Sequence, residues 1–211
     1  MKSATGLPLP TPTERATWFH AYSRNRVGRP LRTTPAGTPL VSRFVTSRFN
    51  PGDHVGPPFE TLYLAVDGTT AHFEKRTYLG DPFGDPERFV RDAERTKNTG
   101  VLDVAVDLRS VVDLTDVTVQ ALLDTSAQEL TGDWSGYQRR HPHTAVRLPT
   151  GMAPTQQLGG ELFREPGVEG IIYVSAKVPT MPCLVVFTHK LTRPGSLRWR
   201  DPRTGSVESY P

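Results

Sequence analysis

Five side chains that can do chemistry lie in or beside short apolar segments. They are His20 in Trp18-Phe19-His20-Ala21, Arg48 in Thr46-Ser47-Arg48-Phe49-Asn50-Pro51-Gly52, Tyr63 in Glu60-Thr61-Leu62-Tyr63-Leu64-Ala65, Glu74 closing Ala71-His72-Phe73-Glu74, and Ser175 in Gly170-Ile171-Ile172-Tyr173-Val174-Ser175-Ala176. A guanidinium donates paired hydrogen bonds to planar oxyanions. A carboxylate stabilises developing positive charge. A tyrosine offers an apolar ring and a polar tip. A serine hydroxyl both donates and accepts, and a neutral imidazole does the same through its two nitrogens. Taken singly, each residue has a plainer role: Tyr63 in the core, Glu74 on a solvated helix face, Ser175 in a turn, Arg48 in a salt bridge, His20 satisfied within a strand.

Familiar chemical motifs are missing. The chain has no Walker-type phosphate loop, no G-x-G-x-x-G after a strand, no H-E-x-x-H and no G-x-S-x-G. His141-Pro142-His143 lacks a third ligand, so no metal site is expected. The lone cysteine, Cys183, excludes an internal disulfide and a thiolate cluster. It reads as a buried core thiol, and a reducing cytoplasmic location is the default expectation.

The elements that must position these residues follow from composition and pattern. The 211 residues are 36% hydrophobic and 9% aromatic, enough for one globular domain with a real core. No apolar run approaches the roughly 20 residues that span a bilayer, and the N-terminus has no apolar leader core, so neither membrane insertion nor secretion is expected. The net charge of +3 is uneven: residues 1–50 hold Lys2 and seven arginines against Glu14, a surplus of +7, and the rest carries −4. This basic segment could meet an acidic partner. Direct nucleic-acid binding is not expected, because no aromatic-interleaved basic stripe accompanies the charge.

Residues 1–13 read as a flexible Pro/Thr-rich arm and 14–211 as one domain. Strands are expected at Thr17–Tyr22, within 41–49, at Thr61–Val66, at Val101–Leu108 continuing to Val112, at Gly170–Val174 and at Cys183–Phe187. Helices are expected from Thr69 to about Tyr78 behind an Asp67 cap, and over Pro86–Lys97, Asp116–Leu123 and Thr155–Phe163. Residues 131–150 read as turns, and the chain beyond Arg193 as a polar tail. So mixed an order, with few βα alternations, implies an α+β domain rather than a doubly wound sheet.

The segments quoted above, together with Pro154-Thr155-Gln156-Gln157-Leu158-Gly159 and Cys183-Leu184-Val185-Val186-Phe187, resemble the RES-domain family in their order and spacing over about residues 17–190. The resemblance implies a compact α+β fold with a central mixed sheet, related to ADP-ribosyltransferases. It implies a toxin of a toxin–antitoxin pair that consumes NAD by hydrolysis or phosphorolysis, depleting the cell of NAD, or that transfers ADP-ribose to a protein. It also implies a helical DNA-binding antitoxin as partner. A third, non-enzymatic reading is a silent module that binds NAD or a partner.

Carried over by position, Glu74 and Tyr63 are the candidate catalytic residues, and Arg48 and Ser175 the candidate NAD-binding ones. One departure concerns the first strand, where the family has an arginine and this chain has His20. A histidine there can still hydrogen-bond a ribose hydroxyl, and Arg24 or Arg43 could replace the guanidinium. In such a site the carboxylate of Glu74 would face the oxocarbenium-like ribose carbon that forms as nicotinamide leaves. Tyr63 would stack on nicotinamide, and Arg48 with Ser175 would hold the pyrophosphate.

Overall fold

A computed structural model describes residues 13–23, 46–52, 59–75, 99–140, 147–149, 151–201 and 204–211. In chain order the described elements are β1 (Glu14–Ser23), β2 (Thr61–Ala65), α1 (Gly68–Glu74), β3 (Thr99–Leu108), β4 (Val111–Asp113), α2 (Val117–Leu122), α3 (Ala127–Thr131), β5 (Gln138–Arg140), β6 (Arg147–Pro149), α4 (Pro154–Arg164), β7 (Gly170–Val174), β8 (Pro182–Phe187), β9 (Leu197–Arg200) and β10 (Val207–Tyr210). Single 3-10 turns occupy Trp134–Tyr137 and Thr188–Lys190.

Eight strands make one sheet in the order β10-β9-β3-β1-β2-β8-β7-β4, and β5 and β6 form a separate ribbon. Among the described residues, only β4 and β7 run parallel within the sheet; its other pairs are antiparallel. A parallel pair needs a long crossover, and here it carries α2, α3, the ribbon and α4. The sheet is mixed and the fold is α+β.

Alternation along the strands separates two cores, one on each face. Leu62, Leu64, Leu102, Val104, Val106, Leu184 and Val186 pack with Trp18 and Trp199 on one face. Ala65, Ile171, Tyr173, Cys183, Val185 and Phe187 pack on the other with Ala71, Val119, Leu130, Leu158 and Leu162 from the four helices. Strands β7 and β8 are buried on both faces, which is why GIIYV and CLVVF read as unbroken apolar runs.

The helix starts follow their caps. Asp67 accepts from the Thr70 amide at 2.7 Å, and Asp116 accepts from the Thr118 amide at 2.7 Å. The helix expected to reach Tyr78 ends at Glu74, with Lys75 as its C-cap, so Glu74 lies on its final turn. Two segments gain a description and one further expectation is corrected. Residues 46–50 form a turn closed by the Ser47–Asn50 bridge, and residues 41–45, the rest of the segment expected to contain a short strand within 41–49, lie outside the described residues. Residues 127–131 are helical because Ser126 caps the Glu129 amide at 3.3 Å. The tail beyond Arg193 is not a polar appendage: Leu197 and Trp199 are buried and β9 extends the sheet beside β3. The Pro86–Lys97 helix and the His141-Pro142-His143 segment lie outside the described residues.

Candidate functional site

The turn at 46–52 is built from its own side chains. Asn50 is fully buried; its Oδ1 accepts from the Gly52 amide at 2.9 Å, and its Nδ2 donates to the Phe59 carbonyl at 2.8 Å. Gly52 has φ +73°, a conformation that favours glycine. The Ser47 amide donates to the Asn50 carbonyl at 2.8 Å. Phe49, also fully buried, meets Tyr173 edge to face with ring centroids 4.9 Å apart. The sequence N-P-G thus reverses the chain, and F49 pins the reversal to the sheet.

Arg48 leaves this turn toward α3. Its Nη1 donates to the carbonyls of Leu130 at 2.7 Å and Gly132 at 2.8 Å. Carbonyls at a helix C-terminus lack intrahelical donors, so a guanidinium satisfies them and the helix dipole together. Nε and Nη2 of Arg48 make no hydrogen bond among the described residues.

Tyr63 lies on β2, opposite Val185 of β8. Its hydroxyl is 2.7 Å from Ser47 Oγ and accepts from the Phe49 amide at 3.1 Å. Burial pushes the phenol above its ordinary value, against the opposing pull of the Ser47 and Phe49 hydrogen bonds and the Arg48 charge. Tyr63 is therefore a neutral phenol at neutral pH. Its oxygen is held by the turn, and what it can offer a ligand is the ring.

Glu74 and Ser175 meet directly: the Ser175 hydroxyl donates to Glu74 Oε1. Two backbone amides fix that hydroxyl, with Lys177 and Val178 donating to Ser175 Oγ at 3.1 and 2.9 Å. The serine proton is thereby directed at the carboxylate. Ser175 itself follows the last residue of β7, and its amide donates to the Met181 carbonyl at 2.8 Å, which closes the β7–β8 loop. Thr180 in this loop has φ +73°, a strained conformation for a β-branched residue.

The two pairs share a neighbourhood. Tyr173 and Cys183 are cross-strand partners on β7 and β8. Burial first, and then the nearby Cys183, Glu74 and Tyr63 groups, raises the Tyr173 phenol well above its usual value, while the Arg48 charge opposes. Burial and the Glu74 charge push the Cys183 thiol up to about 12. Tyr173 touches Phe49 of the arginine turn and precedes Ser175 by two positions, so the turn and the Glu74–Ser175 pair both adjoin β7. Cys183 is 1% exposed and belongs to the core, as its apolar context indicated.

Two expected residues are not described at the site. His20 is in β1 with Leu102 as its β3 partner, and its side chain lies outside the described residues. It is Phe19, its neighbour, that pairs with Ala65 and packs against the Tyr173 side of the sheet. Arg43 lies outside the described residues altogether. Three contributors had no assigned role from sequence: Ser47, Tyr173 and Gln156. All three sit inside the quoted segments, but their partners are backbone groups or residues distant in the chain.

The family model for the RES domain matches residues 20–202. The chain belongs to the RES-domain family. The matched span runs from β1 past β9 and holds the turn, Tyr63, Glu74 and Ser175. A solved structure similar to this RES domain is the crystal structure of the M. tuberculosis MbcT–MbcA toxin–antitoxin complex. The match has 17% sequence identity, a TM-score of 0.54, and covers 94% of this chain and 86% of that one. At that identity the likeness shows the fold. No curated protein matches this RES domain by sequence. Among the described residues, no helix is long and apolar enough to cross a membrane. Among the same residues, no group of three or more His, Cys, Asp or Glu is placed to hold a metal ion.

Proposed function

We propose that this RES domain is a toxin-type enzyme that takes NAD as substrate and cleaves its nicotinamide–ribose bond. The observation that carries the reading is the Ser175–Glu74 hydrogen bond, which orients the Glu74 carboxylate. In this reading the ribose C1′–nicotinamide N1 bond breaks and its electron pair leaves with nicotinamide, discharging the pyridinium. No general acid is needed, because the leaving group is already cationic. Glu74 stabilises the oxocarbenium-like carbon, and the Tyr63 ring stacks on nicotinamide. Arg48 takes the pyrophosphate. Water then adds to C1′ and releases a proton, giving ADP-ribose; phosphate in place of water would give the 1-phosphate.

Purified protein should release nicotinamide from NAD, and Glu74→Ala should abolish the release. NAD labelled in the adenosine half separates the fates of the product. Free ADP-ribose indicates hydrolysis, phosphate-dependent turnover indicates phosphorolysis, and labelled protein indicates ADP-ribosyl transfer.

The fold neighbour is one half of a toxin–antitoxin complex, and this supports a protein partner here. We take that partner to be a helical DNA-binding antitoxin. The basic segment holding Arg24, Arg26, Arg29 and Arg32, which lies outside the described residues, is what it would approach. Neutralising these four should weaken the complex, and unchanged affinity would count against this approach.

A further inference from the structure

We infer that Gln156 of α4 is a positioning residue for Tyr63, an inference that rests on the proposed NAD cleavage. The side chain is 2% exposed, and both ends of its amide are used. Its Oε1 accepts from the Ala153 amide at 3.1 Å, and its Nε2 donates to the Ser47 carbonyl at 2.9 Å. The first bond caps the start of α4 in the manner of a helix N3 residue. The second reaches 109 positions back in the chain to the arginine turn.

The second bond does what the turn cannot do for itself. Within the turn, the Ser47 carbonyl receives the Asn50 amide at 3.4 Å, beyond the usual range for an N–H···O bond. The shorter Gln156 bond therefore holds that peptide. On the same turn, Ser47 Oγ and the Phe49 amide hold the Tyr63 hydroxyl. The chain of contacts runs from α4 to the Ser47 carbonyl and on to the Tyr63 oxygen.

The packing of α4 agrees. A Cβ at Gly159 would overlap the Phe49 carbonyl oxygen and come within 2.9 Å of the Phe49 carbonyl carbon. Helix and turn are in backbone contact, one helical turn from Gln156. The glutamine amide offers an acceptor for Ala153 and a donor for Ser47 at the same time.

Gln156→Glu separates these two jobs. The carboxylate keeps the Ala153 acceptor but sets oxygen against the Ser47 carbonyl. We expect kcat for nicotinamide release to fall by up to about 10-fold, with KM for NAD changed less than about 3-fold. The loss should shrink as pH is lowered, because a protonated carboxyl again donates to Ser47; wild type should lack this recovery. In a Tyr63→Phe background the same substitution should cost less than about 2-fold, since the group it positions is gone. A loss confined to KM, a loss of equal size at every pH, or full additivity with Tyr63→Phe would overturn the inference.

Amide hydrogen exchange gives a readout besides turnover. Gln156→Glu, or Gln156→Met if the glutamate fails to fold, should speed exchange of the Phe49 amide about 10-fold relative to the Val185 amide of β8. Equal protection of Phe49 in variant and wild type would also overturn it. If wild type releases no nicotinamide, the reading of the function fails, and the exchange result still decides whether Gln156 holds the turn.

Discussion

The hydroxyl of Ser175 donates its proton to Glu74 across 101 positions of sequence, while the Lys177 and Val178 amides hold its oxygen from behind. A serine bound in this way has one proton and one direction for it. The carboxylate it meets sits on the last turn of a seven-residue helix whose start is fixed by Asp67. Strand β7, its following loop and helix α1 therefore set the orientation of Glu74 together.

Ser175→Ala should separate orientation from charge. Glu74 keeps its charge but loses its partner. We expect nicotinamide release to fall roughly 10- to 100-fold with the fold intact. The steady-state kcat and the circular dichroism of the variant test this; a kcat within about 2-fold of wild type would show that Glu74 needs no such partner.

Tyr63→Phe and Tyr63→Ala distinguish the ring from the hydroxyl. Phenylalanine keeps the stacking face and loses the bonds to Ser47 and the Phe49 amide. It should retain about a tenth of the activity, whereas alanine should retain less than about a hundredth. Comparable activity in the two variants would mean that the ring makes no contact with the leaving group.

Arg48→Ala should cost stability as well as function. It strips the donor from the Leu130 and Gly132 carbonyls. A loss of about 1–3 kcal/mol in urea denaturation is expected for hydrogen bonds from a charged group. Arg48→Lys should recover only part of it, because an ammonium lacks the planar fork. An unchanged denaturation midpoint in Arg48→Ala would remove its role as a cap for α3.

Stability should fall at alkaline pH, and the sign follows from the thiol. Burial and the Glu74 charge raise Cys183 to about 12 in the folded protein. The unfolded thiol ionises near its ordinary value of about 8.5. Between these values the unfolded chain loses a proton that the folded chain keeps, so this contribution is intact below about pH 8.5 and drains away as pH rises toward 12. Tyr63 and Tyr173, both raised, add to the same trend above their ordinary value. Urea denaturation at pH 8 and pH 10.5 measures the fall, and Cys183→Ala should flatten it. Native Cys183 should resist iodoacetamide at pH 8 and react on unfolding.

Much of this architecture was legible in the sequence. Unbroken apolar runs marked β7 and β8, alternation marked β3, and Asp67 and Asp116 marked helix starts. What was missed had weak local signals. Leu197-Arg198-Trp199-Arg200 alternates over only four residues, and its burial depends on β3, nearly a hundred positions earlier. The five residues of α3 are too few for a hydrophobic period to show.

The site divides along the same line. The family resemblance picked out Tyr63, Glu74, Ser175 and Arg48, but no spacing could say that Ser175 bonds Glu74. Nor could it say that Arg48 spends one nitrogen on two carbonyls, or that Gln156 reaches Ser47, because backbone acceptors carry no residue-type signal.

The central claim is that Glu74 drives loss of nicotinamide from NAD, and the most direct measurement is nicotinamide release by wild type and Glu74→Ala at saturating NAD. The account predicts steady release by wild type and a loss of about 1,000-fold or more in the variant, with NAD still raising its melting temperature. Release by the variant at the wild-type rate would contradict it.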